Sequence, residues 1–136
     1  MTKIDFSQAT TVEHKAAYVR EIAVAGIVAE RTRRLTTGFD YDFGSLRGVH
    51  RIGTTDADQI GWSEVTTLSN ALIALSDTTT KITAVTDTGP VEMYAIEWQA
   101  ILVAAGQFRQ PIWKASFMLQ AMETIPADFT ADQYWP

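Results

Sequence analysis

Apolar residues fall along the chain in two rhythms, and the points where one gives way to the other mark its elements. Residues 11–36, through EHKAAYVREIAVAGIVAERTRRL, are rich in Ala, Glu and Arg and predict a long first helix capped by Thr10 or Thr11. Arg31, Arg33 and Arg34 suit the negative end of its dipole, and Gly38 is where it is expected to stop. Its apolar residues Val19, Ile22, Val24, Ile27 and Val28 cover more than one face. Two readings fit that breadth: a helix with its own domain on one side and another chain on the other, or a helix wrapped by its own domain.

From Phe39 the period drops to two. Phe39, Tyr41 and Phe43 alternate with Asp40 and Asp42, Gly44–Gly48 supplies turn chemistry, and Val49–Ile52 returns as a second strand. Thr55, followed three residues later by Asp58, resembles a capping box. The helix it opens carries Trp62, Val65, Leu68, Leu72 and Leu75 at three- and four-residue steps. Residues 76–80 break it, and Lys81–Thr86 and Val91–Ala95, joined through Asp87–Pro90, predict a second hairpin. From Glu97 a last helix puts Trp98, Ile101, Leu102, Ala105, Phe108 and Ile112 on one face, with a kink or a fresh start expected at Pro111 and an end near Met122.

The reading is an α+β fold: an N-terminal helix, then hairpin, helix, hairpin and helix, with a small antiparallel sheet packed on helices. One domain over residues 11–125 is expected between an N-terminal arm, 1–10, and a C-terminal arm, 126–136.

Composition narrows the chemistry. The 136 residues are 46% hydrophobic and 20% charged, ordinary for one globular domain. The net charge of −5 argues against binding a nucleic-acid backbone. With no cysteine there is no disulfide, thiolate or cysteine–zinc chemistry. The start, MTKIDFSQAT, lacks a signal-peptide pattern and no apolar run approaches ~18 residues, so secretion and membrane insertion are not expected.

Several motifs come close to a known chemistry. Gly48-Val-His-Arg-Ile-Gly53-Thr54-Thr55 spaces its glycines like a phosphate-binding loop but has Thr54 where the lysine must be. Asp87-Thr88-Gly89 matches the aspartic-protease triplet, yet reads better as a turn. Asp56, Asp58, Gly61 and Glu64 resemble a calcium loop, with Ile60 and Thr67 at ligand positions. The two histidines, His14 and His50, lie far apart in sequence, and Arg31-Thr32-Arg33-Arg34 reads as a solvated face. No catalytic, cofactor or metal site is expected, and no enzymatic activity.

From about residue 30 to 122 the chain resembles a domain of unknown function encoded among the tail genes of tailed bacteriophages, often beside or within tail fibres. Arg31-x-x-Arg34-x-x-x-Gly38-Phe39-x-Tyr41 carries the resemblance, followed by the short hairpin, Asp56 opening a helix, and a second hairpin running into Glu97-Trp98-Gln99. The segments FDYDFG, RGVHRIGTTDAD and EWQAILVAAGQFRQPIW are similar to the form seen in phages of marine alphaproteobacteria. One position departs: the family pattern places Ser or Thr just before Ala95, and Tyr94 stands there.

The resemblance implies a structural component of the virion tail, in the fibre or baseplate region, made in the host cytoplasm. It implies contacts with other tail proteins, homo-oligomerisation within the virion, and no cofactor. Phe6, Phe129, Tyr134 and Trp135 are the candidate interface residues, since aromatics bury much area at small entropic cost; the other reading is that both arms fold back on their own domain. Two alternatives stand beside this: a tail-fibre assembly chaperone absent from the mature particle, and a protein that binds or cleaves host-envelope glycans. Asp40 and Asp42 beside Tyr41 are the local carboxylates for the second.

Overall fold

The structure, a computed structural model, describes the backbone of residues 6–136 and the side chains of residues 11–136. Helix α1 (Phe6–Leu35) leads into strands β1 (Phe39–Asp42) and β2 (Val49–Ile52). Helix α2 (Asp56–Ala74), strands β3 (Lys81–Thr86) and β4 (Gly89–Tyr94), helix α3 (Ala95–Gln120) and a 3-10 turn (Asp132–Tyr134) follow. Each hairpin forms its own antiparallel two-stranded sheet, so the fold is α+β. Phe39 pairs with Ile52 in the first, and Ile82 with Met93 in the second.

Helix α3 is the spine. Its first half buries Trp98 and Ile101 with Phe43, Ile52, Ala84, Val91 and Met93 of the hairpins. Its second half buries Ile112 and Leu119 against Ile27 and Leu35 of α1 and Trp135 of the C-terminal segment. A smaller cluster of Leu72, Ile82 and Ala95 seats α2.

The elements differ from the sequence expectation in four places. Helix α1 begins at Phe6, taking in half of the expected 1–10 arm, because nothing in FSQATT breaks a helix. Helix α3 runs through Pro111 without a fresh start. Pro111 is exposed, and Ile112 and Leu119 beyond it are buried, which offsets the roughly 3 kcal/mol that proline costs a helix interior. On α2, Leu68 and Leu75 of the expected apolar stripe are 46% and 79% exposed, while Ser69 is fully buried. The Ser69 hydroxyl donates to the Ala95 carbonyl at 2.9 Å and accepts from Gln99 Nε2 at 3.1 Å, so α2 meets α3 through a small hydrogen-bonded residue. The fourth difference is the C-terminal segment, which folds back onto α1 and α3 rather than extending as an arm.

Helix α3 begins at Ala95 without a hydroxyl cap. Glu97 performs the role from the other side, its carboxylate accepting the Tyr94 N–H at 2.7 Å.

Candidate interaction surface

The C-terminal end of α1 is held from several directions at once. The buried Thr54 hydroxyl donates to the Leu35 carbonyl at 2.6 Å and accepts the Gly38 N–H at 2.9 Å. Gly38 has φ +74°, and a Cβ there would lie 2.6 Å from the Ile52 carbonyl oxygen, so only glycine fits the turn from α1 into β1. The phosphate-loop resemblance thus resolves into a structural joint: Thr54 ties the second hairpin strand to the helix end.

Glu30, 9% exposed, is the hub of the neighbouring charge network. It accepts from Arg33 Nη2 at 2.6 Å and from Arg34 Nε at 2.7 Å, and Arg34 Nη2 reaches Asp132 at 2.7 Å. The Arg33 hydrogen bond, more than the Arg34 one, holds the Glu30 carboxyl below its usual range against the opposing effect of burial. Arg31 lies 4.1 Å over the Trp113 ring and donates to Ser116 Oγ at 3.2 Å. The basic cluster expected as a solvated face is therefore mostly bound, with only Arg33 largely exposed.

Three of the four candidate interface aromatics sit in this same region, against their own chain. Trp135 is 6% exposed and its Nε1 donates to the Phe129 carbonyl at 2.8 Å. Phe129 covers Gly26 of α1 so closely that a Cβ there would lie 2.5 Å from the ring edge. Tyr134 packs beside Trp135, its hydroxyl donating to Asp128 at 3.1 Å. The side chain of Phe6 lies outside the described residues.

The two hairpins are joined at His50. Its Nε2 stands 3.0 Å from the Arg47 carbonyl, which requires Nε2 to carry a proton. Nδ1 stands 3.1 Å from Thr88 Oγ1, while Thr88 Oγ1 also accepts the Arg51 N–H at 3.0 Å. The Asp87 N–H donates to the Arg51 carbonyl at 2.9 Å. Asp87-Thr88-Gly89 is thus the β3–β4 turn clasping β2. Arg47 adds a second clamp, its guanidinium paired with Glu97 at 2.6 Å and donating to the Glu92 carbonyl at 3.1 Å. That pairing lowers the Glu97 carboxyl from its usual range.

Asp40, Asp42 and Asp58 have structural partners. Asp40 pairs with Arg51 at 3.1 Å, and Asp42 accepts the Gly44 N–H at 2.8 Å. Both carboxylates of the glycan reading are thus engaged in shaping the first hairpin. Asp58 completes the capping box of α2 with Thr55. Among the described residues, no group of three or more His, Asp or Glu side chains converges to hold a metal ion.

A run of exposed residues lies elsewhere, on α1. Every residue from 11 to 22 is exposed, including Val12, Tyr18, Val19 and Ile22 at 66%, 63%, 65% and 54%. Arg20 marks where α1 meets the body, donating to the carbonyls of Gln120, Met122 and Glu123 at the end of α3. From Phe6 to Arg20 the helix therefore projects by roughly 20 Å. The apolar residues that sequence patterning spread over two faces divide accordingly. Ile27 is fully buried and Val24 and Val28 half-buried against the body, while Val19 and Ile22 are open.

The fold is α+β, with Val12, Tyr18, Val19 and Ile22 exposed along one end of α1. No family model, curated protein or solved structure matches the chain. Among the described residues, no helix is long and apolar enough to cross a membrane.

Proposed function

We propose that this protein is a structural component of a bacteriophage tail, in the fibre or baseplate region, working through protein–protein contacts rather than chemistry. The projecting end of α1 carries the reading. Four large apolar side chains more than half exposed on one short helical stretch form a surface that water solvates poorly and a neighbouring subunit would cover. The sequence resemblance supplies the tail context. The residues that bear it support the reading as scaffold: Arg31 and Arg34 lock the end of α1, Gly38 turns the chain, and Glu97 starts α3.

On this reading the body is passive. Thr54, Glu30 and the docked C-terminal segment hold α1 at a fixed angle, so that its free end meets other tail subunits in one orientation. Quantitative mass spectrometry of gradient-purified particles beside crude lysate tests it. A small fixed copy number per particle is the expected result. Abundance in lysate with absence from particles would replace the reading with an assembly chaperone.

A further inference from the structure

We infer that residues 124–136 form a latch, which lifts from α1 and α3 as one unit while the rest of the fold stays intact. Closed, it hides Phe129, Tyr134 and Trp135 against their own chain; lifted, it bares them together with their seat. The lifting is a property of the chain itself, and its use in assembly rests on the protein acting through protein–protein contacts.

The hydrogen bonds of the segment are turned inward. The Ala131 N–H donates to the Asp128 carbonyl at 2.8 Å, and the Tyr134 and Trp135 N–H groups donate to the Ala131 and Asp132 carbonyls at 3.1 Å. Trp135 Nε1 donates to the Phe129 carbonyl at 2.8 Å, and the Tyr134 hydroxyl to Asp128 at 3.1 Å. Among the described residues, no backbone hydrogen bond joins 124–136 to the helices or hairpins, and a single side chain bridges them. Arg34 Nη2 donates to the Thr130 carbonyl at 3.1 Å and to Asp132 at 2.7 Å.

The seam therefore opens without stranding a charge or a buried donor. Arg34 keeps its Nε bond to Glu30 at 2.7 Å, the Asp132 side chain is already 97% exposed, and Trp135 Nε1 carries its acceptor with it. What opening costs is apolar cover, as Trp135 and Phe129 leave Ile27, Leu119 and the flat spot at Gly26. Lifting a helix or hairpin would instead break buried polar joints such as those of Thr54 and Ser69. Release of the segment thus takes less free energy than unfolding of the body.

The hinge follows from Arg20. It donates to the Met122 and Glu123 carbonyls at 3.1 and 3.3 Å, pinning the chain as far as Glu123. Just beyond, Thr124 and Ile125 border an open groove of about 480 Å³ against Ala16, Val19 and Ala23 of α1, so the chain has room to swing there.

Native-state proteolysis of the full chain with chymotrypsin tests the latch, because the protease cuts only where the chain has opened. Each rate is taken relative to the same cut in the urea-unfolded chain. The cuts after Phe129 and Tyr134 should share one rate, at least about tenfold faster than those after Trp98 and Phe108 in α3. They should also rise less steeply with urea, since lifting the segment exposes only a small part of the surface that global unfolding exposes. A Phe129 cut that merely keeps pace with Trp98 and Phe108, with the same urea dependence, would overturn the latch. A Tyr134 cut far ahead of Phe129 would overturn the single unit and show a fraying end. A segment digested only with the core, in a chain found in purified particles, would end this inference and leave the tail reading standing. A latch in a chain absent from particles would do the reverse.

Discussion

Thr54 ties the end of α1 to the first hairpin, and replacing it with valine isolates its hydroxyl. Valine keeps the branched shape and volume but leaves two groups unpaired: the Leu35 carbonyl and the Gly38 N–H, both in buried residues. Each buried group without a partner costs about 1–3 kcal/mol, so Thr54→Val should destabilise the fold by about 2–6 kcal/mol. Against a total stability on the order of 5–15 kcal/mol, that is a large fraction. For a chain of this size the thermal midpoint should fall by roughly 6–20 °C. Thr54→Ser is the control, since it keeps both hydrogen bonds and loses one buried methyl, about 1 kcal/mol. Urea denaturation followed by circular dichroism measures both variants, with an unchanged m-value showing that only stability moved. Thr54→Val within about 0.5 kcal/mol of the parent, or Thr54→Ser as damaging as Thr54→Val, would refute the joint.

Further predictions concern the rest of the scaffold. Trp135→Ala should cost about 3–5 kcal/mol, because the ring is 6% exposed and covers Ile27 and Leu119; a variant with an unchanged thermal midpoint would show that the C-terminal segment is not core. Gly26→Ala gains about 1 kcal/mol of helix propensity but drives Phe129 off α1, so hydrogen exchange should rise across residues 126–136; no rise would mean the ring tolerates the methyl. Glu30 has a lowered carboxyl pKa in the folded state, so its stabilisation is present above the ordinary carboxylate range and lost as pH falls through the folded value. The loss of stability between pH 7 and pH 3 should accordingly be smaller in Glu30→Gln, and an identical loss would remove Glu30 from the network. Asp77 accepts from Thr80 Oγ1 at 2.6 Å and from the Thr79 and Thr80 N–H groups at 2.9 Å, and should titrate at about 2 rather than 3.8 by carboxyl NMR.

The element order was legible because both hydrophobic periods are clean and the punctuation is conventional: the alternation of Phe39, Tyr41 and Phe43, the Thr55–Asp58 box, and the Asp87-Thr88-Gly89 turn all stand where the sequence puts them. What sequence could not show was long-range pairing. Thr54 read as an imperfect phosphate-loop residue because its partners, Leu35 and Gly38, are contributed by a different element. Ser69 fell outside the apolar stripe read for α2, because a hydroxyl at a close helix crossing looks like any polar position. Phe129, Tyr134 and Trp135 read as free aromatics because Gly26, the flat spot that receives Phe129, looks like a mere weak point in α1. The candidate surface was half legible: the spread of apolar residues around α1 left two readings open, and only the structure divides Ile27 from Val19 and Ile22.

The most direct test of the account is to change the projecting end of α1 alone. Val12→Glu and Val19→Glu together alter two exposed side chains, 66% and 65% accessible, without touching the core. The account predicts that the doubly substituted chain keeps its thermal midpoint to within about 2 °C, as surface changes do, yet is depleted at least about tenfold from purified particles. Normal incorporation with an unchanged midpoint would contradict it, and would show that this end of α1 is not a docking surface.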